Sequence, residues 1–123
     1  MFSVSRVGFS VEANTGLANY SAFTNSSFVQ SGMVTLQMSI ILSTPTDWNS
    51  NELRLFTLPS VARPDTEKTL QRMCFVVRGS TGANVSVRGI KIKTNGDVMF
   101  MNLDGGTQDV QVVVIPGVSY SLS

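Results

Sequence analysis

The chain has 123 residues, a charged fraction of 14%, nine basic against eight acidic residues and no run of either sign. That length suits one domain spanning 1–123, and the balanced charge excludes the basic footprint expected of a nucleic-acid or anionic-membrane binder. Cys74 is the only cysteine, which excludes an intrachain disulfide framework, and reducing synthesis in a cytoplasm fits.

The longest apolar run, Val112 to Ile115, falls far short of the roughly 20 residues that span a bilayer, so membrane insertion is not expected. The Met1 end has no basic stretch followed by an apolar one, so the expectation is a soluble chain without an export signal. Ser, Thr, Asn, Gln and Gly fill most polar positions and make the surface rich in hydroxyl and amide groups.

Taken in chain order, residues 14–31 are dense in Asn and Ser with isolated Leu17, Tyr20, Phe23 and Phe28, which suggests loops around one or two short strands. Val34, Leu36, Met38, Ile40 and Leu42 then alternate with Thr35, Gln37, Ser39 and Ile41, the period of a strand with one buried face. "TPTDWNSNE", Thr44 to Glu52, reads as a loop that carries the only tryptophan.

From about Thr69 to Arg78 a strand has apolar residues on both faces: Met73, Phe75 and Val77 on one, Leu70, Cys74 and Val76 on the other. In "NVSVRGIKI" the apolar parity changes at Gly89, where a bulge would restore a common inward face. Asn95-Gly96 is the pair favoured in a type I′ turn and predicts a hairpin joining 86–93 to 98–103.

Past "DGGTQ", Val110, Val112 and Val114 face one way and Val113 and Ile115 the other, until Pro116-Gly117 interrupts pairing before Val118 to Leu122. No segment has helical spacing with caps. The fold class is therefore all-β with negligible helix: a jelly-roll-like antiparallel β-sandwich or barrel of about seven to nine strands.

Chemistry-bearing residues are sparse. Histidine is missing altogether, which removes the commonest general base and transition-metal ligand. Cys74 has no neighbour in sequence that would lower its pKa and reads as a core or interface residue. Two of the eight carboxylates facing each other across a sugar would make a glycosidase, whereas Asp97, Asp104 and Asp109 read as turn residues rather than a calcium site. No catalytic residue, metal ligand or cofactor is expected, and the chain is read as a non-enzyme.

The best ligand candidates surround Trp48. An aromatic face stacks on the C–H side of a sugar while neighbouring amides and carboxylates bond its hydroxyls, which singles out Asp47, Trp48, Asn49 and Asn51, with Tyr20 as a further aromatic. The alternative for Trp48 is a structural cap on one end of the sandwich. Tyr120, within the last strand, reads as structural. Arg54, Arg63, Arg72, Arg78 and Arg88 are available to pair across a subunit boundary or to grip an anionic glycan, the alternative being scattered, solvated side chains.

Several segments taken together resemble the C-terminal head domains of receptor-binding proteins and tail fibres of bacteriophages, in particular siphophages of Gram-positive hosts such as lactococci. They are Trp48 in its segment, "LFTLPSVARP", "MCFVV", "GIKIKTNGDV" and the closing "VSYSL", in that order over roughly residues 32–123. The resemblance implies a β-sandwich or jelly-roll head that packs as a homotrimer at the tail tip or baseplate of a virion. It further implies recognition of host cell-wall saccharide during host adsorption, with host polysaccharide and other tail or baseplate proteins as partners. Receptor loops vary among such heads, so it carries over no individual binding residue. A purely structural baseplate domain and a glycan-degrading tail enzyme are the alternative readings.

Overall fold

The computed structural model describes the backbone of residues 6–11, 20–48, 52–78, 85–101 and 107–123, and the side chains in these ranges outside 20–21, 43–48, 52–53, 71–78, 85–88 and 107–111. Among the described residues nine strands appear: β1 (Val7–Gly8), β2 (Tyr20–Asn25), β3 (Phe28–Gln30), β4 (Met33–Trp48), β5 (Glu52–Thr57), β6 (Lys68–Arg78), β7 (Val85–Ile92), β8 (Asp97–Met101) and β9 (Thr107–Ser121). A single 3-10 turn, Ser60–Ala62, is the one helical element among the described residues.

All pairings are antiparallel, in the order β1-β3-β4-β9-β6-β7-β8-β5, and β2 joins β4 on the same edge as β3. β5, which precedes the β6-β7-β8 meander in the chain, lies beside its last strand β8, a Greek-key arrangement. In a flat sheet, β4 and β8 would lie about 19 Å apart at ~4.8 Å per strand. Yet Leu36 and Ile40 of β4 share one core with Ile90 of β7 and Val98 and Phe100 of β8. The ladder therefore folds over on itself, with β9 and β6 joining two layers into an antiparallel β-sandwich.

The core follows the alternation of the sequence. Val34, Leu36, Met38, Ile40 and Leu42 are all buried, and so are Ile90 and Ile92, Val98 and Phe100, and Val113 and Ile115. From the other layer Leu55, Phe56, Leu58 and Ala62 close over them.

Ser27 is the buried polar residue of the described part, and its hydroxyl accepts the Gln37 N–H at 2.9 Å. That bond fills the gap in the ladder where β2 gives way to β3, so the buried hydroxyl is paired.

Three local features differ from the sequence expectation. At Asn95-Gly96 only Gly96 takes a positive φ, 96°, and its N–H donates to the Lys93 carbonyl at 3.0 Å. This is a type I turn closed by a left-handed glycine. Asn95 keeps a negative φ because its side chain spans the turn instead: Oδ1 accepts the Asp97 N–H at 3.0 Å and Nδ2 donates to Asp97 Oδ2 at 3.3 Å. The type I′ geometry occurs at Ser31-Gly32, φ 55° and 75°, between the paired residues Gln30 and Met33.

Secondly, Pro116-Gly117 does not end a strand. Leu36 pairs with Val118 and Gln37 with Pro116, so Gly117, φ 93°, is a one-residue bulge inside a continuous β9. The bulge switches the inward parity from Val113 and Ile115 to Val118 and Tyr120. Thirdly, the irregularity opposite Gly89 lies on β6, between the pairs Leu70–Ile90 and Cys74–Arg88, while β7 runs regularly against β8.

Candidate functional site

Strand directions divide the sandwich into two ends. Trp48 pairs with Thr107 and Glu52 with Met101, so these strand ends share one end. Thr57 pairs with Asp97 beside the Lys93–Gly96 turn, and Leu122 N donates to Gly32 O at 3.0 Å, which places the Lys93–Gly96 and Ser31-Gly32 turns at the opposite end.

The residues singled out around Trp48 distribute as follows. Asp47 and Trp48 are the last two residues of β4, not part of a loop, because β4 continues past Pro45 through an irregular stretch between the pairs Ile41–Val112 and Thr46–Val110. Proline has no N–H to give a ladder and is accommodated at such a break. Asn49 and Asn51 lie outside the described residues, as do the side chains of Asp47, Trp48 and Tyr20. Tyr20 opens β2 opposite Leu42, six residues before Trp48 along β4. About 20 Å of extended strand therefore separates the two aromatics' positions.

A second surface is the outer face of β4 and β9. Register puts Ile41 beside Val112, Ser39 beside Val114 and Gln37 beside Pro116. Ile41 is 38% exposed although it is apolar, and Val112 and Val114 are half-buried. A shallow groove of about 240 Å³ runs here, lined by Thr24, Ser26, Gln37, Ser39, Val114 and Pro116 among others. Thr35 and Ser119 extend the same face with a hydroxyl pair at 2.9 Å. The face mixes aliphatic side chains with hydroxyls and an amide.

At the turn-bearing end lies a third feature that the sequence does not announce. The N-terminal segment is held to β2 and β3 by Asn25 Nδ2 donating to Phe9 O at 2.8 Å and by the Arg6 guanidinium 4.4 Å over the Phe28 ring. This carries Ser10 and Val11 to the loop that follows β5. There Leu58 N donates to Gly96 O at 2.8 Å, and Arg63 Nε donates to Leu58 O at 3.0 Å. A Cβ on Gly96 would stand 2.7 Å from both Arg63 Nε and Leu58 O, so only glycine lets the three segments close together. Ser10, Val11, Thr57, Leu58, Pro59 and Arg63 line a pocket of about 240 Å³.

Other candidates are structural. The buried Tyr120 hydroxyl donates to Ala62 O at 2.7 Å, and burial pushes its phenol above the ordinary value. Asp97 is a turn carboxylate, accepting from Thr57 Oγ1 at 3.0 Å and from Asn95. Asn25, one of three Asn-x-Ser positions, uses both side-chain atoms internally, with Oδ1 accepting Ser27 N–H at 3.1 Å. Among the described residues no three Asp, Glu, Cys or His side chains gather into a metal-binding group, and no helix is long and apolar enough to cross a membrane.

The sequence matches no protein-family model and no curated protein. Among solved structures, the crystal structure of the head domain of phage bIL170, described among the receptor-binding domains of lactococcal phages, aligns with a TM-score of 0.59. The alignment covers 98% of this chain and 100% of that one at 12% sequence identity. The chain is thus similar over its whole length to a lactococcal phage head domain, and it shares that domain's all-β fold.

Proposed function

We propose that this chain is a receptor-binding head of a bacteriophage tail, a non-catalytic adhesion domain that recognises host cell-wall saccharide. The observation that carries the reading is the end-to-end likeness to the bIL170 head, with neither chain leaving a large unmatched part. The surface chemistry supports it. Ser, Thr, Asn, Gln and Gly fill most of the chain's polar positions, so its surface offers hydroxyls and amides to a polyhydroxylated ligand. Asp47 and Trp48, adjacent at one end of the sandwich, are the proposed stacking and hydroxyl-bonding pair, with Asn49 and Asn51 as further contacts and Tyr20, about 20 Å away along the strand, as a contact to a separate part of the polymer.

The working unit is a homotrimer at the tail tip or baseplate of the virion. Ile41, Val112 and Val114 support that part: an aliphatic stripe on the outer face of β4 and β9 is left partly in water by a single chain and is covered by packing on a neighbour. Three linked sites also raise the effective concentration for rebinding, so that weak single contacts hold a virion on a cell.

Titrating the protein with wall polysaccharide from candidate Gram-positive hosts tests the reading. Saturable binding with the polysaccharide recovered intact is the expected result. Release of shortened glycan would replace it with a tail depolymerase, and the absence of any binding would leave a baseplate scaffold.

A further inference from the structure

We propose that the pocket between Ser10–Val11 and the Thr57–Arg63 loop binds the oxyanion of an acidic sugar residue, a phosphoryl or carboxylate group, with the Arg63 guanidinium as its fork. The inference rests on the saccharide-receptor reading above and adds the ligand's chemical class and a site away from Trp48.

The first support is the state of Arg63. Its side chain is exposed at the pocket, yet Nε is committed to Leu58 O at 3.0 Å and the guanidinium lies against the Gly96 turn. The plane is therefore oriented before any ligand arrives, which lowers the ordering cost of binding. Its two Nη atoms have no hydrogen-bond or ion-pair partner among the described residues. A planar pair of N–H donors in this state matches the spacing of two oxygens on a phosphoryl or carboxylate group.

The neighbouring carboxylate does not quench this charge. Asp97 is tied into the turn, with Oδ1 accepting from Thr57 and Oδ2 from Asn95, and makes no ion pair with Arg63. Because Thr57 Oγ1 gives its hydrogen to Asp97, its role toward a ligand in the pocket it lines is that of an acceptor from a sugar hydroxyl. Val11, Leu58 and Pro59 supply an aliphatic wall for the C–H face of a ring. A volume of about 240 Å³ is below the ~300–1,000 Å³ of sites for drug-sized ligands, so it suits one sugar residue.

The test is an amide chemical-shift titration of the full chain with glucose 6-phosphate, glucuronate and glucose. Saturable shifts at Ser10, Leu58 and Gly96 with one or both acids, and none with glucose at equal concentration, are expected; the phosphate and uronate arms identify which oxyanion is preferred. Arg63→Gln removes the shifts, and Arg63→Lys, which keeps charge without the fork, weakens binding at least tenfold. Shifts that persist in Arg63→Gln, equal shifts with glucose, or none with either acid overturn the proposal.

Wall-polysaccharide binding by wild type and Arg63→Gln, measured alongside, keeps the two readings apart. Polysaccharide binding without any acid-induced shift defeats the pocket and leaves the receptor reading standing. Acid-induced shifts without polysaccharide binding defeat the receptor reading instead.

Discussion

The Tyr120 hydroxyl donates to the Ala62 carbonyl at 2.7 Å, bonding the last strand to a 3-10 turn that lies 58 residues earlier in the chain. Asp65 N donating to Leu122 O at 2.8 Å fastens the same two segments a little further along. The loop that carries Arg63 is thus pinned to the β9 layer on one side and to the β7–β8 turn on the other.

Replacing Tyr120 with Phe leaves the Ala62 carbonyl buried without its donor, and chemical denaturation should show a loss of about 1–3 kcal/mol. The phenol's value is raised by burial above its ordinary 10.0. Its neutral form therefore supports folding fully below about pH 10, and that contribution is lost as pH rises toward the folded value. Melting temperatures measured from pH 8 to 11 should fall less steeply at the alkaline end in Tyr120→Phe than in wild type.

Glycines with positive φ should differ in their tolerance of a side chain. At Gly32 and Gly117 a Cβ meets nothing within 4 Å, so Ala costs only the left-handed backbone, about 1–2 kcal/mol. At Gly96 the same methyl also strikes the Leu58 carbonyl at 2.7 Å. Gly96→Ala should be the most destabilised of the three in thermal melts, and equal losses would mean the closure around Arg63 is looser than described.

Where local chemistry decides structure, the sequence was legible. Alternation from Val34 to Leu42 put the right side chains in the core because a half-buried strand has one period and one inward face. The β7–β8 hairpin was read from Asn95-Gly96, but not its turn type, since the Asn95 side chain bonded Asp97 rather than leaving its backbone to go left-handed. The Ser31-Gly32 turn was lost among polar residues that all read as loop, although Ser-Gly between Val29 and Val34 is a turn signal. "TPTDWNSNE" reads as a loop because polar residues surround its tryptophan, whereas an irregular β4 runs through Pro45 to Trp48. Arg63 stands among the arginines that the sequence offers to an anionic glycan, but nothing in the sequence marks its pocket. Residues 10–11 and 57–63 meet only through the folding of the two layers, and no periodicity encodes that contact.

Ile41→Asp and Val114→Asp place a charge on the outer face without touching the core. If that face joins protomers, sedimentation at micromolar concentration should convert a trimer into a species of 13.3 kDa with an unchanged circular dichroism spectrum. A wild-type chain that already sediments as a monomer would assign Ile41 and Val114 to water.

Trp48→Ala should reduce affinity for wall saccharide about tenfold or more if its ring stacks on the sugar, an interaction of ~1.4 kcal/mol or above. Unchanged affinity in a folded variant would make Trp48 part of the scaffold.

Adsorption of the labelled protein to host cells, before and after the surface glycans are cleaved with periodate, bears most directly on the adhesion claim. Saturable attachment that survives protease treatment of the cells and disappears after periodate is the predicted result. Attachment that periodate leaves intact and protease abolishes would contradict it.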